Sequence, residues 1–139
     1  MRVTVDINVL LDVFQKREPH YAASAQVVGL ITDGKLEGVC PAHGLTTLYY
    51  LVRKHGSKPD AEAAMERVLG HFQIGSLEAE GWKEARRLPM ADFEDAVVAT
   101  VAKATGSAFV ITRNTGDFAG SHVPAMVPAD FLSQFAVED

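Results

Sequence analysis

The chain has few of the features that would place it outside an ordinary globular fold. It carries one cysteine, Cys40, so it can form no internal disulfide, and we expect that thiol to be buried and unreactive in a reducing compartment. No apolar run approaches the roughly 20 residues that a membrane-spanning helix needs, and no signal-peptide pattern is visible around Asp6. We therefore expect a cytoplasmic protein with no membrane attachment.

Positive charge is also scarce, since 13 Lys and Arg residues stand against 18 Asp and Glu residues. The resulting net charge of -5 argues against a protein that binds nucleic acid through its overall field. It does not exclude a nuclease, because a bound metal ion can supply positive charge locally.

Apolar residues are abundant, at 47% of the 139 residues. No linker, internal repeat or low-complexity segment divides the chain, so we predict a single domain over residues 1–139 with a substantial core.

Short apolar runs alternate with helical patterns, which predicts an α/β protein. The predicted strands cover residues 2–5, 37–40, 73–77, 108–111 and 125–127. The predicted helices cover residues 7–14, 20–32, 45–54, 59–72, 78–88, 93–105 and 128–135. We expect a three-layer α/β/α fold with a central, mostly parallel sheet of about five strands, in which ligands bind at the carboxyl ends of the strands.

Acidic residues stand where such a fold would bring them to one edge of the sheet. Asp6 ends the first strand and Asp117 follows the fourth. The start of the sixth helix carries Asp92, Glu94 and Asp95. Clustered carboxylates repel one another unless a cation is bound, and oxygen ligands suit Mg²⁺ or Mn²⁺. The pattern indicates metal-assisted chemistry on a phosphate ester.

Plainer roles compete for several of these acids. Asp6 and Asp92 can each act as the N-cap of the helix that follows. Glu94 is expected to face solvent, because on a helix it points away from Asp95. Asp117 can brace its own loop.

Histidine and tyrosine offer weaker signals. The five histidines have no metal-ligand spacing and are expected at the surface or as caps, with His43 the exception because it lies near the expected pocket. Tyr49 and Tyr50 can stack on bases, but their apolar helix favours packing in the core or in a dimer.

Three stretches of the sequence, taken in order, resemble one family. They are residues 5–12 (VDINVLLD), 92–97 (DFEDAV) and 110–118 (VITRNTGDF). Their order and spacing resemble the PIN domains, especially small bacterial ones such as the VapC toxins of toxin–antitoxin pairs. The resemblance covers nearly the whole chain and implies a Mg²⁺- or Mn²⁺-dependent ribonuclease fold.

The resemblance also implies roles for particular residues. Asp6 and Asp95 correspond to the first and third acids of the family and would hold the metal ion. Asp92 lies on the same helix face as Asp95 and would hold a water molecule or a second ion. Asn114 and Asp117 occupy the region of the family's last acid and are further catalytic candidates.

Three polar residues would support this site, and one of them departs from the family pattern. Asn8 and Thr112 stand beside the acids of the first and last motifs. Thr47 stands where the family usually has a glutamate. A hydroxyl supplies no negative charge, so the expected outcomes are weak metal binding, use of Asp92 or Glu94 instead, or an inactive site.

The leading hypothesis is a PIN-domain ribonuclease, the toxin of an antitoxin pair, with RNA as substrate. The alternative is a non-catalytic PIN-like module that binds RNA or protein. A phosphohydrolase of another family is disfavoured, because Asn8 stands where a second acid would be needed. We also expect a homodimer, since residues 45–72 carry more apolar side chains than one core face needs.

Overall fold

The computed structural model describes residues 1–135, which form five strands and seven α-helices. The strands are Arg2–Val5 (β1), Glu37–Pro41 (β2), Gln73–Gly75 (β3), Phe109–Ile111 (β4) and Ala125–Met126 (β5). The helices are Ile7–Phe14 (α1), Tyr21–Thr32 (α2), Leu45–His55 (α3), Lys58–His71 (α4), Ala79–Arg87 (α5), Phe93–Ala104 (α6) and Pro128–Gln134 (α7). The sequence places these elements correctly, but it misses two short 3-10 helices, Ala42–Gly44 and Thr115–Phe118.

The strands form one sheet in the order β3-β2-β1-β4-β5, and each pairing between neighbours is parallel. This confirms the predicted α/β class and strand number. The chain builds outward from β1 to β2 and β3, and then crosses back to place β4 on the other side of β1. Right-handed crossovers put the helices of these two halves on opposite faces of the sheet.

The core follows this division into two faces. Val3 and Val5 of β1 are fully buried in a cluster with side chains from α1, α2, α3, α4 and α7. On the other face, Val39 of β2 packs with Ala85 of α5 and Val97 of α6. Cys40 is buried, and this burial raises the pKa of its thiol to about 12, as expected for an unreactive cysteine.

Helix α6 lies close to the sheet because small residues line the contact. A Cβ on Gly75 of β3 would lie 2.6 Å from Val101 Cγ1, so glycine is required where α6 crosses this strand. Residues 1–135 contain no helix with the length and apolar character needed to cross a bilayer.

The strand order reverses between β1 and β4, and their carboxyl ends meet there. The Asp6 amide donates to the carbonyl oxygen of Ile111 at 2.9 Å, which joins the two strands at this edge. In open parallel sheets a ligand site forms in the crevice at such a reversal. Asp6 and the residues that follow β4 are therefore at the position that the topology favours for function.

Candidate active site

Asp6 lies at the carboxyl end of β1 and is 3% exposed. Its Oδ1 accepts a hydrogen bond of 2.8 Å from the Ile7 amide, so the expected capping of α1 is present. Its Oδ2 accepts a bond of 2.9 Å from the Thr112 hydroxyl and a longer one of 3.4 Å from Asn8 Nδ2. Capping therefore occupies one oxygen of Asp6, and the other belongs to a network that reaches β4.

Thr112 is the centre of this network and is fully buried. Its Oγ1 accepts from the Asn114 amide at 3.2 Å and from Asn8 Nδ2 at 3.3 Å, so its single proton is directed at Asp6. Asn8 Oδ1 accepts from the Arg113 amide at 3.4 Å. The structure thus brings Asp6, Asn8 and Thr112 together, as predicted, and fixes their orientation.

The remaining acids meet at the start of α6. Asp92 is the N-cap, and its Oδ1 accepts from the Asp95 amide at 3.0 Å, so the predicted capping role is confirmed. Asp92, Glu94 and Asp95 each offer a ligand atom within 4.8 Å of the others. All three donors are carboxylate oxygens, which is the chemistry that Mg²⁺ and Mn²⁺ prefer, so this set fits the expected ion.

The effect of Asp6 on the pKa of Asp95 indicates that the two carboxylates lie near each other. Burial, together with the charges of the Asp92, Asp6, Glu94 and Asp117 carboxylates, raises the pKa of Asp95 to about 7. Burial also raises the pKa of Asp6 to about 6, against the opposing effect of the Thr112 hydrogen bond. A divalent cation would relieve this mutual repulsion. Asp6 is not part of the compact set on α6, so its sharing one ion with Asp95 stays a prediction.

His43 is held against Glu94, with 2.6 Å between Nε2 and Oε2. It lies in the 3-10 helix after β2 that the sequence misses, and its side chain is mostly buried. Glu94 is half exposed, as expected, but it also pairs with His43 and belongs to the acidic set. The expectation that Glu94 only faces solvent was therefore incomplete.

Three other predicted site residues lie at the surface. Asp117 is exposed in the 3-10 helix Thr115–Phe118, and its effect on the pKa of Asp95 places it on the site's side. Asn114 is exposed at the start of that helix, where its side chain makes no capping hydrogen bond. Thr47 is exposed in the first turn of α3, and its assignment to the metal site stays a prediction.

The sequence analysis misses a buried ion pair between Asp12 and Arg113. Asp12 is fully buried, and Arg113 Nε lies 3.0 Å from its Oδ2. Burial raises the pKa of Asp12, and the charge of Arg113 opposes that rise. The pair ties α1 to the segment after β4, which supplies Thr112. The sequence gives no sign that Asp12 is buried, because an aspartate in a helix is usually exposed to solvent.

The expected core packing is confirmed for Tyr49, which packs against the main core cluster, and is wrong for Tyr50. Tyr49 is partly buried and its hydroxyl donates to Glu62 at 2.9 Å. Tyr50 is 59% exposed, with Lys54 Nζ 5.8 Å from its ring centroid. Tyr50 therefore does not pack in the core, and packing against a second subunit stays a prediction.

Comparisons with known proteins agree with this fold. The chain is 23% identical over 138 residues to ribonuclease VapC1 of Aquifex aeolicus, covering 96% of this chain and 95% of that protein. It resembles the structure of VapBC2 from Rickettsia felis bound to a promoter DNA fragment, with a TM-score of 0.70 and 16% identity over 91% of this chain and 98% of that one.

A second structure of the same fold is Mycobacterium tuberculosis VapC20, described as a sarcin–ricin loop cleaving toxin. Its TM-score is 0.62 and its identity 14%, over 78% of this chain and 86% of that one. The family model for the PIN domain matches residues 2–116, which is most of the sequence. The chain therefore belongs to the PIN domain family.

Proposed function

We propose that this chain is a single-domain, metal-dependent endoribonuclease of the cytoplasm and the toxin of a toxin–antitoxin pair. The observation that carries the proposal is the acidic set at the start of α6, where the nearby Asp6 carboxylate helps to raise the pKa of Asp95. Asp6 itself lies where the strand order of the sheet reverses. The raised pKa values of Asp6 and Asp95 indicate a site whose negative charge exceeds what the chain itself neutralises.

Some residues of the site would hold the metal ion, and others orient the residues that hold it. Asp95 and Asp6 would hold Mg²⁺ or Mn²⁺, with Asp92 and Glu94 close enough to Asp95 to contribute. A bound ion would supply positive charge against the scissile phosphate and lower the pKa of a water molecule. Thr112 orients Asp6 by donating to its Oδ2.

The surrounding polar residues have supporting roles. Asn8 links Asp6 to the Arg113 amide, so it holds the loop after β4 against the end of β1. Asn114 and Asp117 lie on that loop and its 3-10 helix, at the open side where substrate would approach. His43 fixes one carboxylate oxygen of Glu94.

RNA as substrate and an antitoxin as partner are supported by the similar proteins. One is named a ribonuclease and another a sarcin–ricin loop cleaving toxin. The Rickettsia structure is of a toxin–antitoxin complex. These likenesses are consistent with a chain whose own nuclease site lies at an open edge of the sheet.

A homodimer is part of the proposal, and α3 with α4 is the proposed interface. Tyr50 and Leu69 on these helices are 59% and 57% exposed, although both are large and apolar. Sedimentation at high micromolar concentration should show a dimer. Finding only monomer there would contradict this part of the proposal.

Cleavage of single-stranded RNA in Mn²⁺ tests the central claim. We expect wild-type protein to cut RNA in Mn²⁺ and to stop when EDTA removes the ion. If the protein binds RNA in Mn²⁺ without cutting it, the alternative of a non-catalytic module is correct. Thr47 is the observation that favours this alternative, since it supplies no charge at the position where the family usually has a glutamate.

A further inference from the structure

A cavity of about 310 Å³ opens next to the acidic residues, between α5, α6 and the ends of β2 and β3. Its floor is formed by Gly75, Leu77, Val97 and Val101, and one wall is formed by His43 and Trp82. The same His43 is paired with Glu94, so the cavity shares a wall with the proposed metal site. Its volume lies at the low end of the range for ligand pockets, about 300–1,000 Å³.

Exposed aromatic rings lie at this cavity, because Trp82 lines it and Phe93 lies beside Trp82. Trp82 is 39% exposed and Phe93 is 49% exposed, which is unusual for side chains of this size. The ring of Trp82 lies 6.2 Å from that of His43, edge to face, and 6.1 Å from that of Phe93. Phe93 stands in the chain between Asp92 and Glu94, so this row of rings runs up to the acids.

Positive charge lies on the same helix as Trp82. Arg86 is four residues after Trp82 in α5, and residues at this spacing share a helix face. Lys83, Arg86 and Arg87 line a separate depression of about 280 Å³ on the same helix. Arg86 and Arg87 also offset the negative end of the α5 dipole, but that role does not account for an exposed tryptophan beside them.

We propose that this face of α5 binds one nucleobase of single-stranded RNA next to the scissile phosphate, with the base stacked on Trp82 and a flanking phosphate on Arg86. The identity of the ligand rests on the proposed ribonuclease function. A flat aromatic surface with a neighbouring cation is the arrangement that holds unpaired bases and their backbone. The apolar floor suits the ring of the base, and His43 and Ser76 offer polar groups at its edge.

Intrinsic fluorescence tests the stacking directly, because Trp82 is the chain's single tryptophan. The Asp95→Asn variant, which should cut its ligand far more slowly than wild type, is titrated with a dye-labelled single-stranded oligoribonucleotide. We expect quenching of Trp82 that saturates together with the anisotropy of the labelled RNA. Binding by anisotropy with no change in tryptophan fluorescence would overturn the proposal.

Kinetics separate a binding role from a structural one. Trp82→Ala should raise KM about tenfold with little change in kcat, which corresponds to a stacking contribution of about 1.4 kcal/mol. Trp82→Phe keeps an aromatic face and should restore most of the affinity. Equal loss in both variants, or an unchanged KM in Trp82→Ala of normal melting temperature, would contradict stacking. If Trp82→Ala does not fold, the fluorescence titration decides.

Salt dependence tests the phosphate contact. Arg86→Gln should reduce the slope of log affinity against log salt by about one, as expected for one lost phosphate contact. The control is Lys58→Gln, which removes an exposed charge at the start of α4 on the opposite helix layer and should leave the slope unchanged. Equal slopes for Arg86→Gln and wild type would show that Arg86 does not contact a phosphate.

The outcomes also distinguish this proposal from the function on which it rests. RNA cleavage by wild type without quenching of Trp82 would refute the base site and leave the ribonuclease intact. Quenching without any cleavage would refute the ribonuclease and leave an RNA-binding surface. If Trp82→Ala weakens self-association or a protein partner while RNA affinity is unchanged, this face binds protein and the proposal is wrong.

Discussion

The two sides of the acidic site are built in different ways. On the β1 side, Asp6 is 3% exposed, and its oxygens accept bonds from the Ile7 amide and the Thr112 hydroxyl. On the α6 side, Asp92 and Glu94 are exposed, and burial with repulsion from its neighbours raises the pKa of Asp95. The β1 side is thus a fixed framework held by hydrogen bonds, whereas the α6 side carries the charge that a cation would neutralise.

The largest effect should come from the α6 side. Asp95→Asn removes the carboxylate of the acidic set whose pKa the nearby Asp6 raises, so RNA cleavage should fall by about 10²–10³-fold. Mn²⁺ binding by calorimetry should fall in parallel. Asp130→Asn, at an exposed position in α7, is the matched control and should behave as wild type. Unchanged cleavage in Asp95→Asn would move the reaction away from this site.

On the β1 side, the buried Asp6 should make the free energy of unfolding depend on pH. Burial raises the pKa of Asp6 from 3.8 to about 6, so between these values the folded chain holds a proton that the unfolded chain has released. The free energy of unfolding of metal-free protein should therefore fall as pH rises through this window, by about 2–3 kcal/mol from Asp6.

Asp6→Asn removes this contribution and isolates it from the other carboxyls. In EDTA the variant should match wild type near pH 4 and be more stable near pH 8, as measured by urea unfolding. Mg²⁺ should stabilise wild type at pH 8 more than the variant. If the free energy of unfolding changes with pH in the same way for both proteins, burial does not raise the pKa of Asp6.

The hydrogen bond that orients Asp6 should have a smaller effect. Thr112→Val keeps the shape of the side chain but removes the donor to Oδ2, so activity or Mn²⁺ affinity should fall about 10–100-fold. Thr112→Ser restores the hydroxyl and should recover most of the loss. If Thr112→Ser is as impaired as Thr112→Val, packing rather than the hydrogen bond is responsible.

The smallest expected effect is a gain at Thr47. If Thr47 stands where the family usually has glutamate, Thr47→Glu adds a carboxylate and should tighten Mn²⁺ binding by roughly tenfold, about 1.4 kcal/mol. Thr46→Glu changes the neighbouring exposed residue and is the control. Unchanged affinity in Thr47→Glu would mean that Thr47 lies away from the ion.

Local patterns in the sequence were sufficient to predict the elements and to place candidate acids at the end of β1 and the start of α6. The β-branched residues before Asp6 predict a strand, and the small residues after Asp95 predict a closely packed helix. Each pattern is local in sequence, so β1, α6 and their acids could be placed without knowledge of distant contacts. The capping of α6 by Asp92 depends on residues three apart and was also predictable.

Contacts between distant elements were not predictable in the same way. His43 and Glu94 are 51 residues apart, and each looks ordinary in its own segment. Trp82 lies in a helix that reads as charged and exposed, and only tertiary packing places it beside His43. Asp12 is hidden for the same reason, because its partner Arg113 follows a different strand.

The hydrogen bond between Thr112 and Asp6 also determines at what stage of protein synthesis the candidate active site can form. These residues are 106 positions apart, and the acids of α6 come late in the chain as well. A nascent chain that has left the ribosome only as far as β3 carries Asp6 without Thr112 and without the acids of α6. Under the proposed function, the metal site can therefore assemble only after α6 and Thr112 have left the ribosome, since chains are made and fold from the N-terminus onward.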